Sequence, residues 1–169
     1  MNISSVSFGQ MYEAGISIGG SNYVGDIGRS NYIYPNKIAG AAFFKYNSNP
    51  RMVLRATYSY LPIEANDKDA DTDFRRDRGS SFSNTINELA VGLEYNFYEY
   101  DLSSPGKLST PYILIELASF QYKSAQNVAA NGSISYTNKT SYAIPFGVGY
   151  KSKLGGAFAF AIEAKVRYT

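Results

Sequence analysis

The clearest indication of the fold is the segment Glu88-Leu-Ala-Val-Gly-Leu-Glu-Tyr-Asn-Phe97. Apolar side chains occupy every second position from Leu89 to Phe97, and the positions between them hold polar or small side chains. Successive side chains of a β-strand point to opposite faces of the sheet, so a period of two residues indicates a strand. The stretch therefore predicts a β-strand with one apolar face and one polar face.

Six further segments show the same alternation along the chain. They are residues 12–18, 38–46, 52–60, 113–117, 142–150 and 158–168. The longest apolar runs, 39–44 and 157–162, are far shorter than the roughly 20 residues that a membrane-spanning helix needs. We therefore predict an all-β chain with seven visible antiparallel strands.

The composition excludes several classes of function. The chain contains no Cys and no His, and its net charge is +2. Without Cys and His there can be no disulfide, no thiolate or imidazole metal site and no His-activated nucleophile. A charge this small provides no basic surface of the kind that attracts nucleic acid. We expect neither an enzyme nor a nucleic-acid-binding protein, and no cofactor.

The chemistry of the two strand faces favours a membrane. The polar faces mix single charges with Gly and Ala, which suit a crowded interior better than a surface open to water. Aromatic residues lie near the ends of the apolar faces, as in interfacial girdles: Tyr12, Tyr46, Tyr58, Tyr60, Tyr95, Phe97, Tyr150 and Tyr168. We predict a small antiparallel transmembrane β-barrel of the OmpA/OmpX type in a bacterial outer membrane, surrounded by lipid. A Tyr-rich soluble sandwich or lipocalin-like barrel is the alternative.

The predicted connections alternate in length as an outer-membrane barrel requires. The long ones are 19–37, 62–85 and 123–140, and the others are 47–51, 99–109 and 151–156. Such barrels have long extracellular loops and short periplasmic turns. With a periplasmic N-terminus the first connection is extracellular, and it is long.

The two ends of the chain carry separate expectations. Residues 1–9 are mostly small and apolar, and Ser7 and Gly9 precede Gln10 in a small-x-small cleavage pattern. We expect residues 1–9 to be the remnant of a signal peptide, with a short first strand or a disordered tail as the alternative. Residues 10–169 are then the barrel. Bacterial single-chain barrels have an even number of strands, so we expect the closing eighth strand to be missing.

The polar faces of the predicted strands gather nine charged residues. They are Glu13, Lys45, Arg55, Glu88, Glu94, Glu116, Glu163, Lys165 and Arg167. The interior of a barrel of about eight strands is filled by side chains, and buried charges must pair or incur a large desolvation cost. We predict a salt-bridged plug in preference to a catalytic or conducting site.

One connection contains an acidic repeat, Asn66-Asp-Lys-Asp-Ala-Asp-Thr-Asp73. Acids at every second residue are typical of the start of an EF-hand calcium loop. Here, however, Thr72 replaces the required glycine and Arg78 replaces the closing acid, and Arg75 and Arg76 would neutralise the acids locally. We expect a solvated loop in preference to a calcium site.

Several motifs follow one another in an order that is typical of one family. They are Glu13–Tyr23 with Gly25-Asp26, Asn49-Pro-Arg51 with Leu54-Arg55, Ser81-Phe82 with Glu88-Leu89 and Leu93–Phe97, Pro111-Tyr112, Ile144–Gly149, and Glu163 with Arg167-Tyr-Thr169. In them the chain resembles, over essentially its whole length, the PorG-like outer-membrane proteins of the type IX secretion system. The resemblance implies a barrel without catalytic residues that contacts a periplasmic lipoprotein ring and anchors it to the outer membrane. A generic small barrel for adhesion or membrane integrity is the alternative.

The predicted topology also locates the surface for a periplasmic partner. Such a partner reaches only the side of the short turns, and the candidate contacts there are Asn47, Asn49, Pro50, Arg51, Lys151 and Lys153. Pro50 stiffens its turn, Arg51 can offer a planar fork to a carboxylate, and the two lysines would steer an acidic partner. The alternative is that these are ordinary turns whose basic residues balance anionic lipid headgroups. The extracellular loops, including Asp67–Asp73, should be dispensable for this partner.

Overall fold

A computed structural model of the protein describes residues 11–28, 35–101, 108–128, 134–155 and 157–169. For residues 125–128 and 134–135 the structure describes the backbone alone. The predicted signal-peptide remnant, residues 1–9, lies outside the described residues.

Seven antiparallel strands form a single sheet, and their order in the sheet is their order in the sequence. The strands are β1 (Tyr12–Ser21), β2 (Lys37–Asn47), β3 (Met52–Asn66), β4 (Ser81–Asn96), β5 (Ser109–Val128), β6 (Ile134–Gly155) and β7 (Phe158–Tyr168). A 3₁₀ turn (Asp67–Asp69) and one short helix, α1 (Asp73–Arg78), lie between β3 and β4. No helix in the described part of the chain is long and apolar enough to cross a bilayer. The predicted all-β antiparallel fold is confirmed.

The sheet curls into an open barrel whose edges are β1 and β7. In a flat sheet β3 and β7 would lie about 19 Å apart, since neighbouring strands are spaced by about 4.8 Å. Instead, Arg55 Nη1 on β3 lies 2.6 Å from Glu163 Oε2 on β7. The side chains of strands separated by three others therefore meet across the concave side of the sheet.

The two faces of the sheet have the predicted chemistry. On β4, Leu89 and Val91 are 60% and 58% exposed on the convex side, whereas Glu88 and Glu94 are fully buried on the concave side. The same alternation of exposed and buried side chains follows β3, β5 and β6. The face assignments for these strands are confirmed, and the apolar face is the outer one.

Glycines on the concave side make room for aromatic rings. A Cβ atom on Gly149 would lie 2.5 Å from the Tyr112 ring, and one on Gly15 would lie 2.5 Å from the Phe43 ring. These distances are shorter than real Cβ contacts, so the two rings in these positions leave no room for a side chain at either glycine. The small residues of the polar faces are thus part of the packing.

Three predicted connections are wrong in extent, because strands continue beyond the apolar face. The β3–β4 ladder runs to Asn66–Ser81, so that connection shrinks to residues 67–80. The β5–β6 ladder runs to Val128–Ile134, which leaves residues 129–133, outside the described residues. Lys151 and Lys153, predicted in a turn, lie within β6. Backbone pairing needs no apolar side chain, so these extensions carry no hydrophobic alternation.

Candidate functional site

Charged side chains share the concave side of the sheet with buried apolar ones such as Leu114 and Phe120, and we call the paired charged set the interior network. Its members are Lys45, Arg55, Glu88, Glu94, Glu116, Lys151, Glu163, Lys165 and Arg167. The structure brings eight of the nine charged residues predicted from the sequence into ion pairs, and it adds Lys151. The remaining predicted residue, Glu13, accepts a hydrogen bond at its Oε1 atom from Asn47 Nδ2 at 2.6 Å.

Glu94 on β4 lies at the centre of the network. Its carboxylate is fully buried and lies 2.7 Å from Lys45 Nζ and 2.6 Å from Lys151 Nζ. Arg55 Nη1 lies 3.5 Å away. Three cations from β2, β3 and β6 therefore surround one carboxylate, which offsets the cost of removing it from water.

Arg55 extends the network toward β7. Its Nη1 atom donates to Glu163 Oε2 at 2.6 Å, and the Tyr112 hydroxyl donates to the same oxygen at 2.8 Å. The guanidinium carbon lies 4.7 Å from the centre of the Phe43 ring. The charge, the hydroxyl and the ring fix the position of the guanidinium from three directions.

Glu116 on β5 joins the network from the other side. Lys165 Nζ donates to Glu116 Oε2 at 2.6 Å and lies 3.6 Å from Glu163 Oε1. The Thr57 hydroxyl donates to Glu116 Oε1 at 2.8 Å and accepts from Arg55 Nε at 3.1 Å. Contacts therefore run without a break from Lys45 to Lys165, across β2 to β7.

Glu88 and Arg167 form a separate pair. Arg167 Nε donates to one carboxylate oxygen at 2.7 Å, and Nη2 donates to the other at 3.0 Å. This two-point geometry is the strongest arrangement that an arginine and a carboxylate adopt. The pair ties β4 to β7, far apart in the order of the sheet.

The arrangement is suited to holding strands together. The charged groups of the network are engaged with one another. Among the described residues, no group of three or more acids is placed to hold a metal ion. The geometry therefore supports a filled, cross-linked interior.

Lys151 and Lys153 do not lie where the sequence analysis placed them. Their exposed fractions are 2% and 8%, and both side chains face the interior. The prediction that they lie in a basic turn is wrong, because β6 continues through them to Gly155. The spacing of two residues in β6 could have predicted their orientation, because the inward positions Gly147 and Gly149 are followed by Lys151 and Lys153.

Tyr100 is an interior residue that the sequence analysis missed. It follows β4, is 4% exposed, and its ring centre lies 4.5 Å from Lys151 Nζ. Burial, together with the nearby charges of Glu13 and Glu94, raises the pKa of the Tyr100 phenol to about 12. No local pattern marks this residue, since its position depends on how the connection folds back into the interior.

The turn between β2 and β3 is tied to the connection after β4. Asn49 Oδ1 accepts hydrogen bonds from the backbone N–H groups of Arg51 at 2.9 Å and Met52 at 2.8 Å. Arg51 Nη1 donates to the Phe97 carbonyl at 2.9 Å, and Nη2 lies 3.7 Å from Glu99 Oε1. Arg51 is exposed as predicted, but its guanidinium is already engaged within the chain.

The Pro50 carbonyl makes the second link of this turn. It accepts from Asn96 Nδ2 at 3.0 Å and from the backbone N–H of Tyr100 at 3.1 Å. Pro50 and Asn49 are exposed at the same end of the barrel, and Asn47 is half-buried beside Glu13. Four of the six predicted partner contacts therefore lie together at this end.

The acidic repeat forms a loop clasp at the opposite end. Asp67 is fully buried and accepts hydrogen bonds from Arg78 Nε at 2.8 Å, Gly28 N–H at 2.9 Å and Ser80 N–H at 3.1 Å. Arg78 Nη1 also donates to Asp26 Oδ2 at 3.1 Å. The hydrogen bond from Arg78 is the main reason why the pKa of Asp67 falls to about 2. The expectation of a solvated loop is wrong at Asp67, which joins two connections.

A curled antiparallel sheet with an apolar convex side and a paired, charged concave side defines a small all-β protein of the β-barrel type. The chain belongs to the family described as a domain of unknown function (DUF6089), whose family model matches residues 1–169. No curated protein and no solved structure matches the chain.

The central role of Glu94 leads to a prediction about stability. Replacing Glu94 with Ala leaves Lys45 and Lys151 buried without their carboxylate, and we expect a loss of about 3–5 kcal/mol in the free energy of unfolding. Glu64→Ala is the control, because Glu64 pairs with Lys37 and both side chains are about 40% exposed. Its loss should stay below about 1 kcal/mol. Similar losses for both variants in urea unfolding would contradict the central role of Glu94.

The loop clasp leads to a prediction about pH. The pKa of Asp67 is lowered from 3.8 to about 2, so the clasp is fully formed above pH 3.8 and is lost as the pH falls toward 2. We expect pepsin to cut residues 67–80 at pH 2 and not at pH 5. Asp67→Asn should be cut at both pH values. Asp77→Asn, an exposed change on α1, should behave as the wild type, and resistance of Asp67→Asn at pH 5 would refute the clasp.

Proposed function

We propose that the protein is a small transmembrane β-barrel of a bacterial outer membrane and a non-enzymatic component of a type IX-like protein secretion machine. In this role it contacts a periplasmic lipoprotein ring and anchors it to the membrane. The observation that carries the membrane part is the inverted distribution of side chains, with apolar groups outside and charges inside.

The convex face supports a lipid environment. Its exposed apolar side chains are continuous across the central strands: Leu54, Leu89, Val91, Leu93, Ile113, Ile115, Leu117, Ile144, Phe146 and Val148. Removing one such side chain from water is favourable by about 1.5–3 kcal/mol of free energy. Leaving an apolar face of this size in water is therefore unfavourable. A soluble sandwich buries its apolar face and wets its polar one, which is the opposite of this arrangement.

The height of the apolar face also fits a bilayer. It extends from Leu89 on β4 to Phe97, just past the end of that strand, over about 27 Å, which becomes about 21 Å for a strand tilted by about 40°. The apolar band of outer-membrane barrels is about 25 Å tall. Beyond Leu89 the outward positions of the same strand turn polar, with Asn87, Thr85 and Ser83.

The end of the barrel with the β2–β3 turn supports an anchoring role. Arg51 and Asn96 tie that turn to the connection after β4, and Tyr100 closes the interior behind it. A partner at this end meets a surface that is already ordered, so binding requires little further ordering. The exposed residues there include Asn49, Pro50, Arg51, Tyr98 and Glu99.

A generic small barrel for adhesion or membrane integrity is the second candidate. The observation in its favour is that β3 and β4 continue to pair well beyond the apolar face at the opposite end of the barrel. The loop clasp then holds residues 67–80 in a defined shape. A structured extracellular surface is compatible with adhesion.

The membrane placement predicts a strong dependence on depth. Val91→Arg places a charge in the middle of the apolar face and should cost about 2–4 kcal/mol in a bilayer. Ser83→Arg introduces the same side chain on the same face of β4 beyond the apolar region, and it should cost about 1 kcal/mol or less. Unfolding of the barrel from phospholipid vesicles measures both values. Equal, small costs would rule out the membrane placement.

The anchoring role predicts capture from one end only. The chain has no Cys, so single cysteines can be introduced at Ser48, in the exposed β2–β3 turn, and at Asp77, on exposed α1. We expect crosslinking in cells to recover ring lipoproteins from Ser48→Cys and not from Asp77→Cys. Recovery from Asp77→Cys alone would overturn both topology and anchoring. Recovery from neither, with the barrel folded in the membrane, would favour the generic barrel.

A further inference from the structure

β4 and β5 separate before either strand ends. Their ladder stops at Asn87–Gln121, whereas β3–β4 pairing continues to Asn66–Ser81 and β5–β6 pairing continues to Val128–Ile134. Two hairpins therefore diverge beyond Asn87 and leave a wedge between them. We call this wedge the hairpin cleft, and its lining residues are Tyr60, Thr85, Asn87, Gln121, Tyr122, Lys123 and Asn138.

A side chain holds the cleft at a fixed width. Asn84 Nδ2 donates to the Lys123 carbonyl at 2.8 Å, and the Lys123 N–H donates to Asn84 Oδ1 at 3.1 Å. The carboxamide thus replaces the backbone pair that would otherwise continue the ladder. Because this bridge is in place, the separation of the hairpins is part of the fold.

The lining of the cleft combines amide side chains with tyrosine rings and carries no carboxylate. The side chains of Asn87, Gln121 and Asn138 provide amide donors and acceptors, Tyr60 provides a ring, and Lys123 provides the one positive charge. Amides match the hydroxyl groups of a sugar, and an ammonium group matches a phosphate. The cavity volume of about 270 Å³ is at the small end for ligand pockets, which suits a single headgroup.

The position of the cleft indicates where such a ligand comes from. Below the cleft, the outward positions reach Leu89 on β4 and, after Ser119, Leu117 on β5, and these two leucines are 60% and 67% exposed. In a membrane-spanning barrel they contact acyl chains, so the cleft lies at the level of the extracellular headgroups. Outward Asn138 on β6 continues the polar lining at the same height.

We propose that the hairpin cleft binds the phosphorylated sugar headgroup of a glycolipid in the extracellular leaflet. Lys123 contacts the phosphate, Asn87, Gln121 and Asn138 bind the sugar hydroxyls, and the acyl chains lie along the apolar face beside Leu89 and Leu117. This inference rests on the proposed membrane placement and is independent of the role in secretion.

The test uses the whole chain in phospholipid nanodiscs. The probe is lipopolysaccharide truncated to its phosphorylated lipid portion and inner sugars, and native mass spectrometry measures the bound fraction. Lys123→Gln should weaken binding about tenfold or more, because a charge-assisted hydrogen bond is lost. Lys139→Gln is the matched control, since exposed Lys139 follows Asn138 on the opposite face of β6. It removes the same charge and should leave binding unchanged.

The remaining outcomes separate the possibilities. If Lys123→Gln and Lys139→Gln weakened binding equally, the loss would reflect the change in net charge and not a contact in the cleft. That result would overturn the proposal. Equal binding of phosphatidylglycerol, which carries no sugar, would overturn the sugar site, and equally tight binding of free glucosamine 1-phosphate would overturn the lipid source. If the protein inserts into nanodiscs and Lys123→Gln binds the probe as the wild type does, the proposed binding site is refuted and the membrane placement is not. If it does not insert, the membrane placement fails.

Discussion

Inside the curled sheet, the carboxylate of Glu94 lies among Lys45, Arg55 and Lys151 and has no contact with water. A carboxylate in that position incurs a desolvation cost of several kcal/mol, which only close cations can offset. The cations come from β2, β3 and β6, so the pairing holds separate strands in one curvature. The same curvature brings Arg55 to Glu163, across three intervening strands.

Filling the interior with charge leaves the outer face for apolar contact. Each strand has only two faces, so when one carries paired charges the other must carry the apolar side chains. The interior needs glycine wherever a ring such as Tyr112 or Phe43 lies against the sheet. Hydrogen bonds stabilise the two ends of the barrel. Arg51 and Pro50 make them at the end with the β2–β3 turn, and Asp67 makes them in the loop clasp at the other end.

The alternation in residues 88–97 was sufficient to predict both faces of β4, and the same reasoning held for β3, β5 and β6. It also identified the charged residues that meet inside, since polar positions of amphipathic strands share one face. It failed beyond the apolar face. There the hydrophobic period is lost, and backbone pairing continues the β3–β4 ladder from Pro62 to Asn66 and the β5–β6 ladder from Lys123 to Val128.

From the sequence alone the all-β class, the alternating faces of the strands and most of the inward charges were predictable, because all three follow from local periodicity. The partners of those charges were decided only by the tertiary structure, since Arg55 meets Glu163, 108 residues away, through the curl of the sheet. Tertiary structure also decided that Lys151 is internal, that Tyr100 folds back, and that Asp67 is enclosed. Each of these depends on contacts between segments distant in sequence, and a local pattern of side chains contains no information about them.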